Sequence, residues 1–172
     1  MELVTNIELA NRELAAALKL PKEKERQRDL QYFTAILVSS GANLNHAYFL
    51  PSELIKAKDT ISNKAVDIEH DEQKVVGHMY DRAFMWKDRT VFDPLSITER
   101  SGLDDLEMDI AIAGVVYRER FSEIAKEIEA GNKWKLSMEC FYDNYDIKVG
   151  DVYIPSKDAQ SLGYNNFVGK FA

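Results

Sequence analysis

The chain lacks the several cysteines whose disulfide bonds stabilise small secreted proteins, and it has no long apolar run. Its 172 residues include a single cysteine, Cys140, which cannot form an internal disulfide. No apolar stretch approaches the ~20 residues that a membrane-spanning helix needs, and the first residues lack the basic start of a secretory signal. We therefore expect an intracellular protein without a membrane contact, whose core is held by packing.

Basic residues are also too few for the usual mode of nucleic-acid binding. The net charge is -7, whereas neutralising phosphates requires clustered Lys and Arg. The nearest basic cluster, residues 21–29, has acids between its bases and is typical of a solvated linker. No Gly-rich phosphate loop or dinucleotide fingerprint follows any predicted strand. The sequence thus predicts neither a nucleic-acid partner nor a cofactor.

The length and the 45% hydrophobic content predict one main domain with a substantial core. Apolar residues at helical spacing, after a capping-box signal at Thr5 and Glu8, indicate an N-terminal amphipathic helix that ends near Lys19. This helix could pack on the main domain or on another subunit, or serve as a removable arm. The N-terminal helix and charged linker are assigned to residues 1–29, and the main domain to residues 30–172.

Within the main domain, apolar runs and period-two patterns predict many short strands and few helices. Strands are predicted at residues 31–38, 65–70, 74–87, 89–92, 110–117, 133–143 and 152–154, and helices at residues 51–59 and 118–130. This order favours an α+β fold, a β-rich distorted barrel of mostly antiparallel strands with a few packed helices.

The stretch at residues 133–143 has the period-two pattern of a half-buried strand. Its predicted core face consists of Trp134, Leu136, Met138, Cys140 and Tyr142, and its polar face includes Lys133, Lys135, Ser137, Glu139 and Asp143. Such a strand would hold Ser137 outward on a rigid support. Ser137 is therefore a candidate nucleophile if a base can reach it, whereas Cys140 is predicted to pack in the core.

A serine hydroxyl is a weak nucleophile and needs a neighbouring base, most often a histidine. The chain offers only His46, His70 and His78. His70 ends the predicted strand at residues 65–70 on its apolar face, which places it at the rim of the core. A histidine there can act as a base, or it can simply hydrogen-bond to backbone.

Two short motifs, in this order, resemble those of a known family. Asp-Ile-Glu-His-Asp at residues 67–71, with Gly-His at residues 77–78, precedes Trp-Lys-Leu-Ser-Met-Glu at residues 134–139. Together they resemble the prohead maturation proteases of tailed bacteriophages, which are similar in fold to the herpesvirus assembly proteases. The resemblance covers residues 30–154, and a predicted helix directly precedes the serine motif.

The resemblance implies a serine endopeptidase in which Ser137 attacks the scissile carbonyl and His70 acts first as base and then as acid. Its substrates would be scaffold and major capsid proteins, and the enzyme itself, cut inside the procapsid in the host cytoplasm. The resemblance implies no cofactor or metal, and it leaves a homo-oligomer open.

The third member of the catalytic set is the least defined. The herpesvirus enzymes use a second histidine after the serine, but no histidine follows His78 here. Glu139 shares the predicted polar face with Ser137, ~7 Å away along the strand, and is therefore the favoured partner of His70. Asp67, Glu69, Asp71 and Asp143 also stay open.

Other chemistries fit the sequence less well. His70, Asp71, Glu72 and His78 are metal-capable, but the chain has no His-Glu-x-x-His helix. Lys135 could act as the base of a Ser-Lys pair, although a solvated charge explains it more simply. Cys140 would point away from Ser137 in a regular strand, which disfavours a Cys-His protease.

A function of another class is a noncatalytic scaffold or assembly protein of the same lineage. In that case the N-terminal helix and the acidic surface would bind shell subunits. The presence of both Ser137 and His70 is the feature of the sequence that argues against it.

Overall fold

Within the residues that the structure describes, the apolar and alternating stretches of the sequence form ten strands. These are β1 (Leu3–Val4), β2 (Leu30–Ser39), β3 (Gly41–Ala42), β4 (Tyr48–Phe49), β5 (Ala65–Ile68), β6 (Asp71–Trp86), β7 (Val91–Phe92), β8 (Met108–Tyr117), β9 (Asp146–Val149) and β10 (Val152–Pro155). The helices are α1 (Arg12–Ala17), α2 (Pro51–Lys56), α3 (Ser122–Glu129) and α4 (Ser156–Ser161). Short 3-10 turns lie at Glu23–Glu25, Ala57–Thr60, Pro94–Ser96 and Leu103–Asp105.

The computed structural model describes residues 3–4, 12–43, 47–97, 102–131, 134–140, 145–150 and 152–163. Contacts divide the chain into two units, residues 1–41 with 49–138 and residues 42–48 with 139–172. The first unit contains the large sheet, and the second contains the antiparallel β9–β10 hairpin and α4. The predicted division between residues 29 and 30 stays a prediction.

The large sheet has the strand order β1-β2-β8-β6-β5, with β7 also paired to β6, and every pairing is antiparallel. The predicted α+β class and the antiparallel strands are therefore confirmed. The expected barrel is wrong, because within the described residues the sheet does not close. Closure requires the two outermost strands to pair along a ladder, and here the outermost strands are β1, only two residues long, and β5.

The central strand β8 is buried along nearly its whole length, as expected for a strand with both faces covered. One face of the sheet packs in the main core with residues such as Phe33, Phe84 and Ile112. The other face carries smaller side chains, including Ala111 and Ala113 of β8. The two apolar clusters therefore enclose the strand that connects β2 with β6.

The N-terminal helix packs on the sheet of the first unit. Leu14 of α1 and the fully buried Leu18 just after it contact the small-residue face, with Met85 of β6 as a large neighbour. Lys19 then reaches the buried Asp81 at 2.8 Å between Nζ and Oδ2. The predicted start of this helix near Thr5 lies outside the described residues.

None of the described helices is long and apolar enough to span a bilayer.

Several element boundaries differ from those predicted. The helix expected over residues 118–130 begins only at Ser122, after a turn, and the one expected over 51–59 becomes a 3-10 turn at Ala57. The turn region expected at 143–151 contains β9, and α4 had no helical prediction. β9 escaped prediction because its four residues alternate between charged and apolar side chains over too short a stretch to give a period.

Candidate functional site

His70 lies in the two-residue turn that joins β5 to β6. The strand ends at Ile68, which pairs with Asp71, and both intervening residues have left-handed backbones, with φ 57° at Glu69 and 58° at His70. Two consecutive positive φ values are the signature of a type I′ hairpin turn. The predicted strand at residues 65–70 is therefore wrong in its last two residues, and His70 is exposed rather than held at the core rim.

One of the two residues in this turn, Glu69, does not favour its backbone, whereas histidine enters the left-handed region more often than most residues do. Type I′ turns prefer Asn-Gly, because a left-handed backbone costs an ordinary L-residue roughly 1–2 kcal/mol. Here a glutamate and a histidine both adopt it. Such strain persists only where the surrounding structure imposes it, and it is common at functional sites.

A bulge lies directly behind the turn. Ile68 pairs with Asp71, but the preceding residue Asp67 pairs with Val75, so residues 72–74 of β6 have no partners on β5 in this register. The Asp71 carboxylate spans this bulge: Oδ1 accepts the backbone N–H of Gln73 at 3.0 Å, and Oδ2 lies 3.1 Å from Lys74 Nζ. The Gln73 N–H and then the Lys74 ammonium hold the pKa of Asp71 below its usual range.

Ser137 lies in the described stretch 134–140, of which residues 136–140 form no regular strand. The predicted strand is therefore wrong over those residues, and its ends at 133 and at 141–143 lie outside the described residues. Its alternation is nevertheless present up to residue 138. Trp134, Leu136 and Met138 pack against the main core, while Lys135 and Ser137 are exposed. Alternation determined which side chains are buried, whereas a ladder also requires a neighbouring strand.

The structure brings the two proposed reacting groups together. His70 Nε2 lies 3.1 Å from Ser137 Oγ, although 67 residues separate them in sequence. When Nε2 is unprotonated, the Ser137 hydroxyl donates its hydrogen bond to it, which is the arrangement that a nucleophile and its base require. Both residues belong to the first unit, and both are exposed to solvent.

No protein-family model, curated protein or solved structure matches the chain. The interpretation of this site therefore depends on its geometry and on the motifs that it contains.

The favoured third member, Glu139, belongs to the second unit and is exposed. Its role as the partner of His70 stays a prediction. Of the other carboxylates, Asp71 is bound to Gln73 and Lys74, Glu69 occupies the turn itself, and Asp143 lies outside the described residues.

The remaining histidines and the cysteine have other surroundings. His78 lies inside β6, where Nδ1 is 3.1 Å from the hydroxyl oxygen of Tyr117, and His46 lies outside the described residues. The described part of the chain contains no group of three or more metal-capable His, Cys, Asp or Glu side chains. Cys140 is exposed, so its predicted place in the core is wrong. The alternation that had placed it there ends after Met138, since Glu139 and Cys140 are both exposed.

The sequence indicates both His70 and Ser137, but it does not indicate the tight turn that holds the histidine. The tight turn at Glu69 and His70 has no glycine or asparagine to indicate it. The one available signal was the polar run that follows Ile68, which is typical of a strand end. Asp71 was weighed as a partner of the imidazole, whereas its carboxylate binds the backbone of the bulge.

Proposed function

We propose that this chain is a serine endopeptidase with Ser137 as nucleophile and His70 as general base. The observation that supports it is the 3.1 Å separation between Nε2 and Oγ, in an exposed position, of the two residues that the sequence motifs single out. A hydrogen bond between exposed side chains adds little net stability, so stability alone is a weak explanation for this contact between residues 67 positions apart.

The reaction would follow the usual two steps of a serine hydrolase. Nε2 takes the Ser137 proton as Oγ attacks the scissile carbonyl, and the imidazolium then protonates the leaving amine as the C–N bond breaks. Water, deprotonated by His70, attacks the resulting ester and releases the acid and free Ser137. Glu139 is the proposed third member, which would orient the imidazole. Nothing in this scheme requires a metal or a cofactor.

The resemblance to prohead maturation proteases suggests the substrates. We propose scaffold and major capsid proteins, and the enzyme itself, cut within the procapsid in the host cytoplasm. The acidic net charge agrees with a protein that acts on proteins rather than on nucleic acid.

The decisive experiment compares Ser137→Ala and His70→Ala with the parental chain, with Ser122→Ala of α3 as a matched control. Cleavage of a scaffold or capsid substrate should fall by at least about 10³-fold in the first two variants and stay at the parental rate in the control. The urea midpoint should move little in Ser137→Ala, since an exposed substitution is worth about 0.5 kcal/mol or less.

Further measurements distinguish the serine protease from a metal-dependent hydrolase and from a noncatalytic scaffold protein. A serine-directed phosphonate should label Ser137 in the parental chain, and a chelator should leave the cleavage rate unchanged. A Ser137→Ala variant that cuts at the parental rate would refute the assignment. A chain that stays intact on storage at high concentration, is not labelled and binds shell subunits stably would instead support the noncatalytic scaffold protein.

A further inference from the structure

The left-handed backbone at Glu69 and His70 controls where the imidazole lies. A two-residue loop with both φ values positive matches the twist of the flanking strands, so Ile68 and Asp71 can pair directly across it. If Glu69 took an extended φ, this two-residue loop would not close, and the imidazole of His70 would shift by ~1 Å or more relative to Ser137. A shift of ~1 Å away from Ser137 lengthens the 3.1 Å contact between Nε2 and Oγ beyond hydrogen-bond distance.

The bulge behind the turn gives the hairpin tip its direction. Bulges bend a strand and re-aim the side chains beyond it, and they are frequent next to active sites. Here the bulge at residues 72–74 is closed by Asp71, which contacts the backbone N–H of Gln73 and the side chain of Lys74. Asp71 directly follows His70 in the chain, so its position limits the freedom of the histidine backbone.

We propose that Glu69 and Asp71 are positioning residues for His70: the turn at Glu69 aims the imidazole at Ser137, and the Asp71 carboxylate fixes the bulge that carries the turn. Neither side chain needs to touch the substrate. This inference rests on the proposed protease function, and it specifies how the base of that site is held.

Substitutions at Glu69 test the turn, because they change the preference for a left-handed backbone without removing a reacting group. Glu69→Asn favours this backbone, and Glu69→Gln removes the charge but keeps the side-chain shape, so both should retain kcat within about 2-fold. Glu69→Val opposes it, since a β-branched residue strongly avoids positive φ. Its kcat should fall roughly 10- to 100-fold, with KM within about 3-fold, because misplacing a catalytic group by ~1 Å has an effect of that size.

Substitutions at Asp71 test the bulge in the same way. Asp71→Asn keeps an oxygen that accepts the Gln73 N–H and should retain kcat within about 3-fold. Asp71→Ala removes that acceptor, so its kcat should fall by about 10-fold or more, and the Gln73 amide should exchange with solvent faster than in Asp71→Asn. The rate of phosphonate labelling at Ser137 should fall in parallel with kcat in both impaired variants.

The outcomes separate this inference from the proposed function. If Ser137→Ala still cleaves at the parental rate, the protease function itself has failed. If Ser137→Ala is inactive but folded Glu69→Val and Asp71→Ala keep the parental kcat and labelling rate, only the positioning inference is refuted. A loss in Glu69→Gln equal to that in Glu69→Val would also refute it, because the charge and not the turn would then be responsible. Circular dichroism and urea midpoints establish that each variant is folded.

Discussion

Gly77, which belongs to the histidine motif, lies where β6 passes closest to the backbone of β8. It pairs with Val116, and a Cβ atom added to it would lie 1.8 Å from the carbonyl oxygen of Val115 and 2.8 Å from its carbonyl carbon. Ordinary contact begins only near 3.4 Å. The atoms in the way are backbone atoms of the central strand β8 at the buried Val115, so they cannot rotate aside. We therefore predict that Gly77→Ala forces β6 and β8 apart.

The size of the effect follows from that separation. Overpacking a core by one methyl group typically costs about 1–3 kcal/mol. Moving the strands apart also weakens about two ladder hydrogen bonds around the Gly77–Val116 pair, each worth about 0.5–1.5 kcal/mol. The free energy of unfolding should therefore fall by about 2–6 kcal/mol, and Tm by about 4–24 °C for a chain of this size.

Urea unfolding of Gly77→Ala, followed by circular dichroism and by tryptophan fluorescence, measures this loss. Gly114→Ala is the matched control in the paired strand. There the closest atom would be the ring carbon Cζ of Phe33 at 2.5 Å, and the closest backbone atom would be the carbonyl oxygen of His78, at 3.0 Å instead of 1.8 Å. The control should therefore lose less. A loss below about 1 kcal/mol in Gly77→Ala, or one no larger than in Gly114→Ala, would refute this account of the motif glycine.

Two other predictions concern the face of the sheet that carries Ala111 and Ala113, on which the N-terminal helix packs. Tyr80 has a buried hydroxyl without a hydrogen-bond partner among the described residues, so Tyr80→Phe should raise the free energy of unfolding by about 1 kcal/mol in a urea titration. Burial raises the pKa of Tyr80 to about 12, so the unfolded chain ionises first as pH rises above its ordinary value near 10. The parental chain should therefore lose stability between pH 10 and 12, and the Phe variant should lose less; equal slopes would contradict this. Leu18→Ala should cost about 2–5 kcal/mol in the same assay, because Leu18, which directly follows α1, is fully buried against the sheet. A smaller loss than in the exposed control Lys24→Ala would contradict its role as an anchor of the N-terminal helix.

Much of the main sheet was accessible from local pattern. Periods or apolar runs that are typical of strands occur at residues 31–38, at residues 110–117 and from near residue 74. Each of these strands is present within a few residues of its predicted bounds. Their lengths follow from composition, because branched and aromatic side chains pack well on a pleated surface. Whether the sheet closes into a barrel depends on which strands meet at its edges, and no local pattern encodes that.

The candidate site likewise has features that the sequence predicts and features that depend on pairing with distant segments. Ser137 and His70 could be named from the sequence because a serine nucleophile needs a base, and the chain has only three histidines that could serve as one. The stretch around Ser137 also alternates as predicted up to Met138, with its apolar side chains on the core. Its ladder is missing over residues 136–140, because pairing depends on a neighbouring strand and not on the stretch itself.

By itself, the sequence determined the α+β class, the burial of the apolar faces and the identity of the two candidate reacting residues, since each depends on side-chain chemistry or on a local period. Only the tertiary structure decided that Nε2 of His70 comes within 3.1 Å of Ser137 Oγ, and that a strained turn and a bulge present it there. The physical reason is that a contact across 67 residues depends on strand register and on turn geometry. Both are set by pairing between segments of the chain, and Glu69 in this turn does not itself favour its left-handed backbone.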